Sequence, residues 1–315
     1  MNLQREFATI NGKLDEIAKN TEPEELELES LGEWLDEWLD LYKVGQIKDS
    51  TIYQYRLMIK RIPEPLKLKP LGKLQPRELQ RFLYSIRQTR QRQHVYCLLK
   101  DAFHKAFVLR MLEFDPMLAV EKPKHIKKER KAFDREQEAR FVKACNCSKY
   151  GDMYLVMLYT GIRKGEALAL ECRDIDLHNR VLHITKAIND LNRVDTPKSK
   201  AGFRKVPIFD NLYPYLQKYA GKSNRRIFPI VETTAHIHFH MILKAAGLEG
   251  QGFTTHSLRH TFLTRLCETG VSLKVAQKWA GHCDAKLTLN VYTHCNADFE
   301  AENVKMYNEK LKSGV

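Results

Sequence analysis

The chain has 315 residues, 43% of them hydrophobic and 29% charged, an ordinary globular balance in a chain long enough for two domains with separate cores. No apolar run approaches the ~20 residues of a membrane span, and the polar N-terminus lacks the apolar core of a signal peptide, so the expected location is the cytoplasm with no membrane partner. The cysteines (Cys97, Cys145, Cys147, Cys172, Cys267, Cys283 and Cys295) are odd in number and lack ligand spacing, so they read as reduced thiols and no metal site is expected. The 52 Lys and Arg against 39 Asp and Glu give a net charge of +13. Residues 1–30 hold three basic and eight acidic residues, which leaves +18 on the rest of the chain. Such an excess on a folded body is the electrostatic footprint of a polyanion partner.

Leu3, Phe7, Ile10, Leu14 and Ile17 recur at spacings of 4, 3, 4 and 3, a helical stripe that fits docking on its own domain and contact between protomers alike. An acidic linker with Pro23 follows, so residues 1–30 read as an N-terminal acidic helix and linker. Residues 31–121 read as a helical unit. Its first helix carries Leu31, Trp34, Leu35, Trp38, Leu39 and Tyr42, and Ser50 is expected to cap the second. A third helix spans Gln75–Ile86 and a fourth begins near Thr89, with Trp and Phe serving the core. Arg87, Arg90 and Arg92 cluster between these two, either as a solvated corner or as phosphate contacts.

Residues 122–131 form a basic linker that includes Lys127 and Lys128. It can lie along a duplex backbone or be a plain solvated connection. In residues 132–315 the apolar run Met153–Tyr159 predicts a buried helix broken by Gly161, with Arg163-Lys164-Gly165-Glu166 opening the next. Alternation over Val181–Thr185 and Arg204–Ile208 predicts strands, joined by a turn-rich segment with Lys198 and Lys200. Helices are predicted at 234–246, 258–269, 273–281, 287–292 and 298–312. His236, His238 and His240 look like a metal tract, but only His236 and His240 share a helical face, so structural or DNA-facing roles are preferred.

Breaking a phosphodiester without a metal requires an oriented nucleophile, neutralisation of the transition-state charge, removal of the attacking proton and protonation of the leaving oxygen. Arginine suits the second task because its planar fork binds two phosphate oxygens. His256 and Arg259 leave one helix face a turn apart, with Leu258, Phe262 and Leu266 anchoring another face. Arg163, Lys198, His282 and Tyr292 complete a set suited to gripping and attacking a phosphate.

The order of Thr160-Gly161-Ile162-Arg163-Lys164-Gly165-Glu166-Ala167-Leu168, the lysine hairpin, His256-Ser257-Leu258-Arg259-His260-Thr261-Phe262, Gly281-His282 and Tyr292 closely resembles the tyrosine recombinase, or phage-type integrase, family. The resemblance covers about residues 31–300. It implies a mainly α fold with a small antiparallel β-sheet in the C-terminal domain: a helical core-DNA-binding domain at 31–121 and a mixed α/β catalytic domain at 132–315 that ends in a C-terminal helix. It further implies that Tyr292 forms a 3′-phosphotyrosyl bond, Arg163 and Arg259 clamp the phosphate, His256 acts as acid/base and His282 hydrogen-bonds the phosphate. Lys198 matches the lysine that protonates the leaving oxygen, with Lys200 its rival. Glu166 supports the site and His260 is structural. No cofactor is implied, because the phosphotyrosine conserves the energy of the broken bond. The implied partners are double-stranded DNA and three further copies in a tetramer on two sites, with a monomer compatible with the DNA-free state and room for a directionality factor. Residues 1–30 depart from the β-rich arm-binding domain of many phage integrases. A catalytically silent DNA-binding regulator and a type IB topoisomerase are the competing expectations.

Overall fold

The structure, a computed structural model, describes residues 29–125, 131–189, 191–195, 203–221 and 223–281, together with Leu289, Tyr292 and Asn308. The chain divides into two compact units, the first ending at Lys127 and the second beginning at Lys128. Among the described residues no helix is long and apolar enough to cross a membrane. The expected helices at 1–20 and 298–312 fall outside the described residues, Asn308 excepted, as does most of 287–292.

In the first unit Ser30 opens α1 (Leu31–Tyr42) through a capping box with Glu33. The Glu33 carboxylate accepts from the Ser30 N–H at 3.0 Å, and the Ser30 hydroxyl accepts from the Glu33 N–H at 3.3 Å, which satisfies donors that the first turn would otherwise leave orphaned. The expected apolar stripe of α1 is buried from Leu31 to Leu39, with Tyr42 half-buried at its end, and the Trp34 indole N–H donates to the Ala102 carbonyl at 3.1 Å. That bond lets a polar ring edge sit in a core. Helix α2 (Asp49–Lys60) starts two residues earlier than expected, with Lys48 rather than Ser50 at the N-cap; Asp49 then places a carboxylate in the first turn, where the helix dipole favours it. The proline-rich connection holds a short helix, α3 (Glu64–Lys67). Helices α4 (Pro76–Ser85) and α5 (Thr89–Val108) add Leu79, Leu83, Leu99 and Phe103 to the core that also holds Leu35 and Leu39 of α1.

Near the start of the second unit, Phe133 is anchored on α11 (Thr255–Glu268). Its N–H donates to the Thr261 hydroxyl at 2.9 Å and its carbonyl accepts from Arg265 at 2.9 Å. Helix α6 (Arg135–Asn146) follows, then α7 (Gly151–Thr160), whose residues are almost all buried. A chiefly apolar helix covered on every side needs no amphipathic stripe. Helix α8 (Lys164–Ala169) leads to a three-stranded antiparallel sheet of β1 (Ile175–Asp176), β2 (Val181–Ile184) and β5 (Arg204–Pro207), with β2 central. The register pairs Leu182 with Val206 and Ile184 with Arg204. Between β2 and β5 the chain makes a separate hairpin of β3 (Ala187–Ile188) and β4 (Val194–Asp195), shorter than any alternation the sequence displays. Helices α9 (Tyr213–Gln217), α10 (Glu232–Ala245), α11 (Thr255–Glu268) and α12 (Leu273–Ala280) close the unit, with α11 packed on α7.

Two glycines let the motif around Arg163 form. Gly161 ends α7 in the left-handed conformation at φ 65°, and a Cβ there would lie 2.4 Å from the Phe262 ring. Gly165 brings α8 onto β3 so closely that a Cβ would lie 2.4 Å from the Ile188 carbonyl oxygen. We expect Gly161→Ala to lower stability by at least the ~1–2 kcal/mol of a left-handed non-glycine residue, because the Phe262 ring must also move. Gly165→Ala should destabilise too, by separating α8 from β3. Urea unfolding checks both, as a lower midpoint at unchanged slope.

Candidate active site

The corner between α7 and α8 gathers the charged side chains. Arg163 is the N-cap of α8, with extended backbone at φ −75° and ψ 155°. Its N–H therefore lies outside the helical ladder and donates to Glu166 Oε2 at 2.8 Å, while its Nη1 donates to Glu166 Oε1 at 3.0 Å. Glu166 thus caps the Arg163 N–H and is the ion-pair partner of its side chain at once, with no return bond because a guanidinium cannot accept. The Arg163 side chain keeps 41% exposure against 3% for Glu166, so this cation faces solvent with its carboxylate behind it.

Arg259 approaches from α11 and is buried at 5% exposure. Its Nη1 donates to the Gly161 carbonyl at 2.8 Å, an oxygen that the end of α7 leaves without a helical donor. The two arginines singled out in the sequence are therefore anchored on the same three-residue turn, Gly161 to Arg163. His256 lies one helical turn before Arg259, exposed, in the first turn of α11. His260 is half-buried on the same helix.

A third arginine, absent from the sequence-based site, completes the corner. Arg204, the first residue of β5, meets Glu166 fork to fork, Nη1 to Oε1 at 3.1 Å and Nη2 to Oε2 at 2.8 Å. Its Nε donates to the Trp279 carbonyl near the end of α12 at 2.7 Å. Arg163 Nη2 reaches the Gly281 carbonyl on the same helix end at 3.3 Å. Burial alone would raise the Glu166 pKa, but hydrogen bonds and charge from Arg204, then from Arg163, outweigh it and hold the carboxyl below its ordinary value. With Glu166 ionised, the three guanidiniums leave the corner with net positive charge, suited to an anion. Strand β5 does carry a readable trace of this: Arg204 occupies an inward position of an alternating strand, and a buried arginine needs an acidic partner.

Tyr292 packs beside Phe262, Leu263, Leu266, Ala276 and Ala280, in a cluster formed by α11 and α12. Its phenol donates to the Val271 carbonyl, between those helices, at 2.7 Å. A phenol in that bond is protonated, and its oxygen becomes a nucleophile only once a base takes the proton. Lys198, Lys200, His282, Lys127 and Lys128 lie outside the described residues.

In the first unit Arg87 and Arg90 are exposed. Arg92 is otherwise engaged: its Nε and Nη2 donate to the Ile86 carbonyl at 3.0 and 2.7 Å, closing the end of α4. Its guanidinium also lies 4.8 Å from the Tyr84 ring centroid. On α10 the exposed His236 and His240 rings touch at 4.5 Å between centroids, and His238 stands edge-on to Tyr150. Among the described residues no group of three or more His, Cys, Asp or Glu side chains is placed to hold a metal ion.

Comparison with known proteins agrees with this architecture. The chain is 26% identical to a XerC-like tyrosine recombinase of Caldanaerobacter subterraneus over 54% of its own length and 51% of that protein's. It thus spans about half the length of several curated relatives that it matches. The integrase of Staphylococcus phage L54a is 27% identical over 93% of this chain and 96% of that one. The solved structure of the Tn1549 transposon integrase in complex with circular intermediate DNA superposes with a TM-score of 0.71 at 20% identity, covering 89% of this chain and 99% of that one, a likeness that establishes the fold. An N-terminal SAM-like domain of phage integrases matches residues 30–86. With the phage integrase profile matching residues 131–298, more than half of its length, the chain belongs to the phage integrase family.

Proposed function

We propose that the protein is a site-specific DNA recombinase that breaks and rejoins double-stranded DNA through a covalent bond to Tyr292. The observation that carries this reading is the anchoring of Arg163 and Arg259 on one turn, with the Glu166 carboxylate behind Arg163. Two guanidiniums so held would neutralise the non-bridging oxygens of a phosphodiester as a fifth oxygen adds to phosphorus. Tyr292 leaves the Val271 carbonyl and its oxygen attacks phosphorus. His256 takes the phenolic proton and His282 hydrogen-bonds the phosphate. The bond to the 5′ oxygen breaks, and Lys198 (with Lys200 as the alternative donor) supplies the proton that makes the 5′ hydroxyl. The product is a 3′-phosphotyrosyl linkage, reversed when another 5′ hydroxyl attacks it.

Each chain carries one such tyrosine and so cuts one strand. Exchange between two duplexes requires four cuts, and hence a homotetramer on two recombination sites. Residues 31–121 serve as the core-DNA-binding domain, with Arg87 and Arg90 toward phosphate and Arg92 holding the end of α4 beside them. Residues 122–131, with Lys127 and Lys128, follow the duplex backbone, and residues 132–315 supply the catalysis. The reaction takes place in the cytoplasm, where a directionality factor would bias its outcome.

Nicked duplexes cut from the repeats flanking the gene test this reading. Wild type should form an adduct that survives denaturing electrophoresis, and Tyr292→Phe should form none while binding the same duplex equally well. An adduct that persists in Tyr292→Phe, or none in wild type, would refute the assignment. Arg163→Ala should slow adduct formation by about 100-fold or more. Binding by wild type should weaken linearly in log K against log salt, since the contacts are chiefly to phosphate; salt-insensitive binding would contradict that.

A further inference from the structure

We propose that Arg204 is a positioning residue of the phosphate site: one buried guanidinium on β5 grips Glu166 with its fork and the Trp279 carbonyl with its Nε, and so sets Arg163 and the end of α12 together. The proposal rests on the recombinase reading above for its consequence in catalysis, and on geometry alone for the coupling itself.

The bonds form a closed ring. Glu166 Oε1 accepts from Arg163 Nη1 and Arg204 Nη1, at 3.0 and 3.1 Å, and Oε2 accepts from the Arg163 N–H and Arg204 Nη2, both at 2.8 Å. A carboxylate has about four lone-pair sites, so this one is saturated, with Arg204 occupying half of it. On the far side Arg204 and Arg163 donate to two carbonyls at the end of α12, those of Trp279 and Gly281. Those carbonyls end a helix, where cations are favoured. The ring therefore runs from Glu166 through Arg204 to Trp279, along α12 to Gly281, and back through Arg163 to Glu166. His282 follows Gly281 directly in sequence, and Lys198 precedes Arg204 by six residues.

Arg204 does not touch the substrate in this arrangement. At 3% side-chain exposure it is walled off behind Glu166, whereas Arg163 faces solvent. Its effect passes through the carboxylate. Without Arg204, Glu166 keeps only the bonds from Arg163 and can turn with it, and the end of α12 loses a donor. A guanidinium displaced by a fraction of an ångström no longer meets the transition-state oxygens. The charged groups on Glu166 among the described residues are Arg204 from β5 and Arg163 from the N-cap of its own helix.

The test uses the full-length protein with Arg204→Met, Arg204→Lys, Glu166→Gln and the double substitution Arg204→Met/Glu166→Gln. The first readout needs no activity: the Glu166 carboxyl is titrated by carbon NMR, with its signal assigned by loss in Glu166→Gln. In wild type it should titrate below the ordinary carboxylate range, and in Arg204→Met more than about one pH unit higher. Arg204→Lys retains a charge without the fork, so it should fold as wild type and keep Glu166 ionised at neutral pH. The second readout is single-turnover adduct formation on the nicked duplex. Arg204→Met should be slowed about 100-fold and Arg204→Lys about tenfold, with affinity for the duplex unchanged. In Arg204→Met the rate should also fall with decreasing pH at a higher pH than in wild type, because Glu166 then gains its proton earlier. In the Glu166→Gln background, Arg204→Met should add little further loss. The proposal is overturned if Glu166 titrates alike in wild type and Arg204→Met, if Arg204→Met loses rate by one factor at every pH, or if the losses in the double variant multiply. Should wild type form no adduct, the recombinase reading falls while the titration still decides the coupling.

Discussion

The second unit of this protein depends on one buried carboxylate and the two guanidiniums that share it. Glu166 at 3% exposure could not remain charged on its own, since desolvating an ion without partners costs several kcal/mol. Arg204 and Arg163 make the charge tenable, and in doing so they tie three separate elements together: the start of α8, the start of β5 and the end of α12. Replacing such a pair with apolar groups can leave stability unchanged. Its value here is geometric, because hydrogen bonds fix direction in a way that apolar packing does not.

That constraint explains the division of labour among the arginines. Arg204 is enclosed and holds others, Arg163 is held and faces solvent, and Arg259 is braced against the Gly161 carbonyl from a different helix. A phosphate arriving at the corner would find guanidiniums whose directions are already set, which lowers the ordering cost of binding. Gly161 and Gly165 serve the same end from the backbone side, one allowing the left-handed turn beneath Phe262 and the other letting α8 approach β3.

Tyr292 is held by a different set of forces. Its ring lies against the small apolar cluster of α11 and α12 and its hydroxyl is bound by a backbone carbonyl. The exchange of one weak net hydrogen bond, about 1 kcal/mol, for contact with phosphate is a modest barrier to engagement. In the proposed reaction the arginine corner is thus the rigid partner and the tyrosine the one that changes its bonds.

Much of this was legible in the residues themselves. The apolar stripe of α1, the unbroken apolar run of α7, the alternation in β2 and β5 and the helix-ending Gly161 are local properties, and each element formed close to where its pattern lies. The reactive residue types and their order sufficed to indicate the family. Ser50 misled because side-chain capping competed with the dipole preference for Asp49 one residue earlier, and the β3–β4 hairpin is too short for periodicity to register. Arg92 looked like a phosphate contact by charge alone, while its geometry commits it largely to the end of α4. What only the tertiary structure decided is the partnership at Glu166. Arg204 stands 38 residues from Glu166 and 75 from Trp279, distances at which no local pattern links them. Their meeting is set by β5 pairing with β2 and by the packing of α12 against that strand. Sequence supplied the groups that the proposed reaction would use to bind and attack a phosphate; the packing of strand and helices determined which of the described ones are fixed in place.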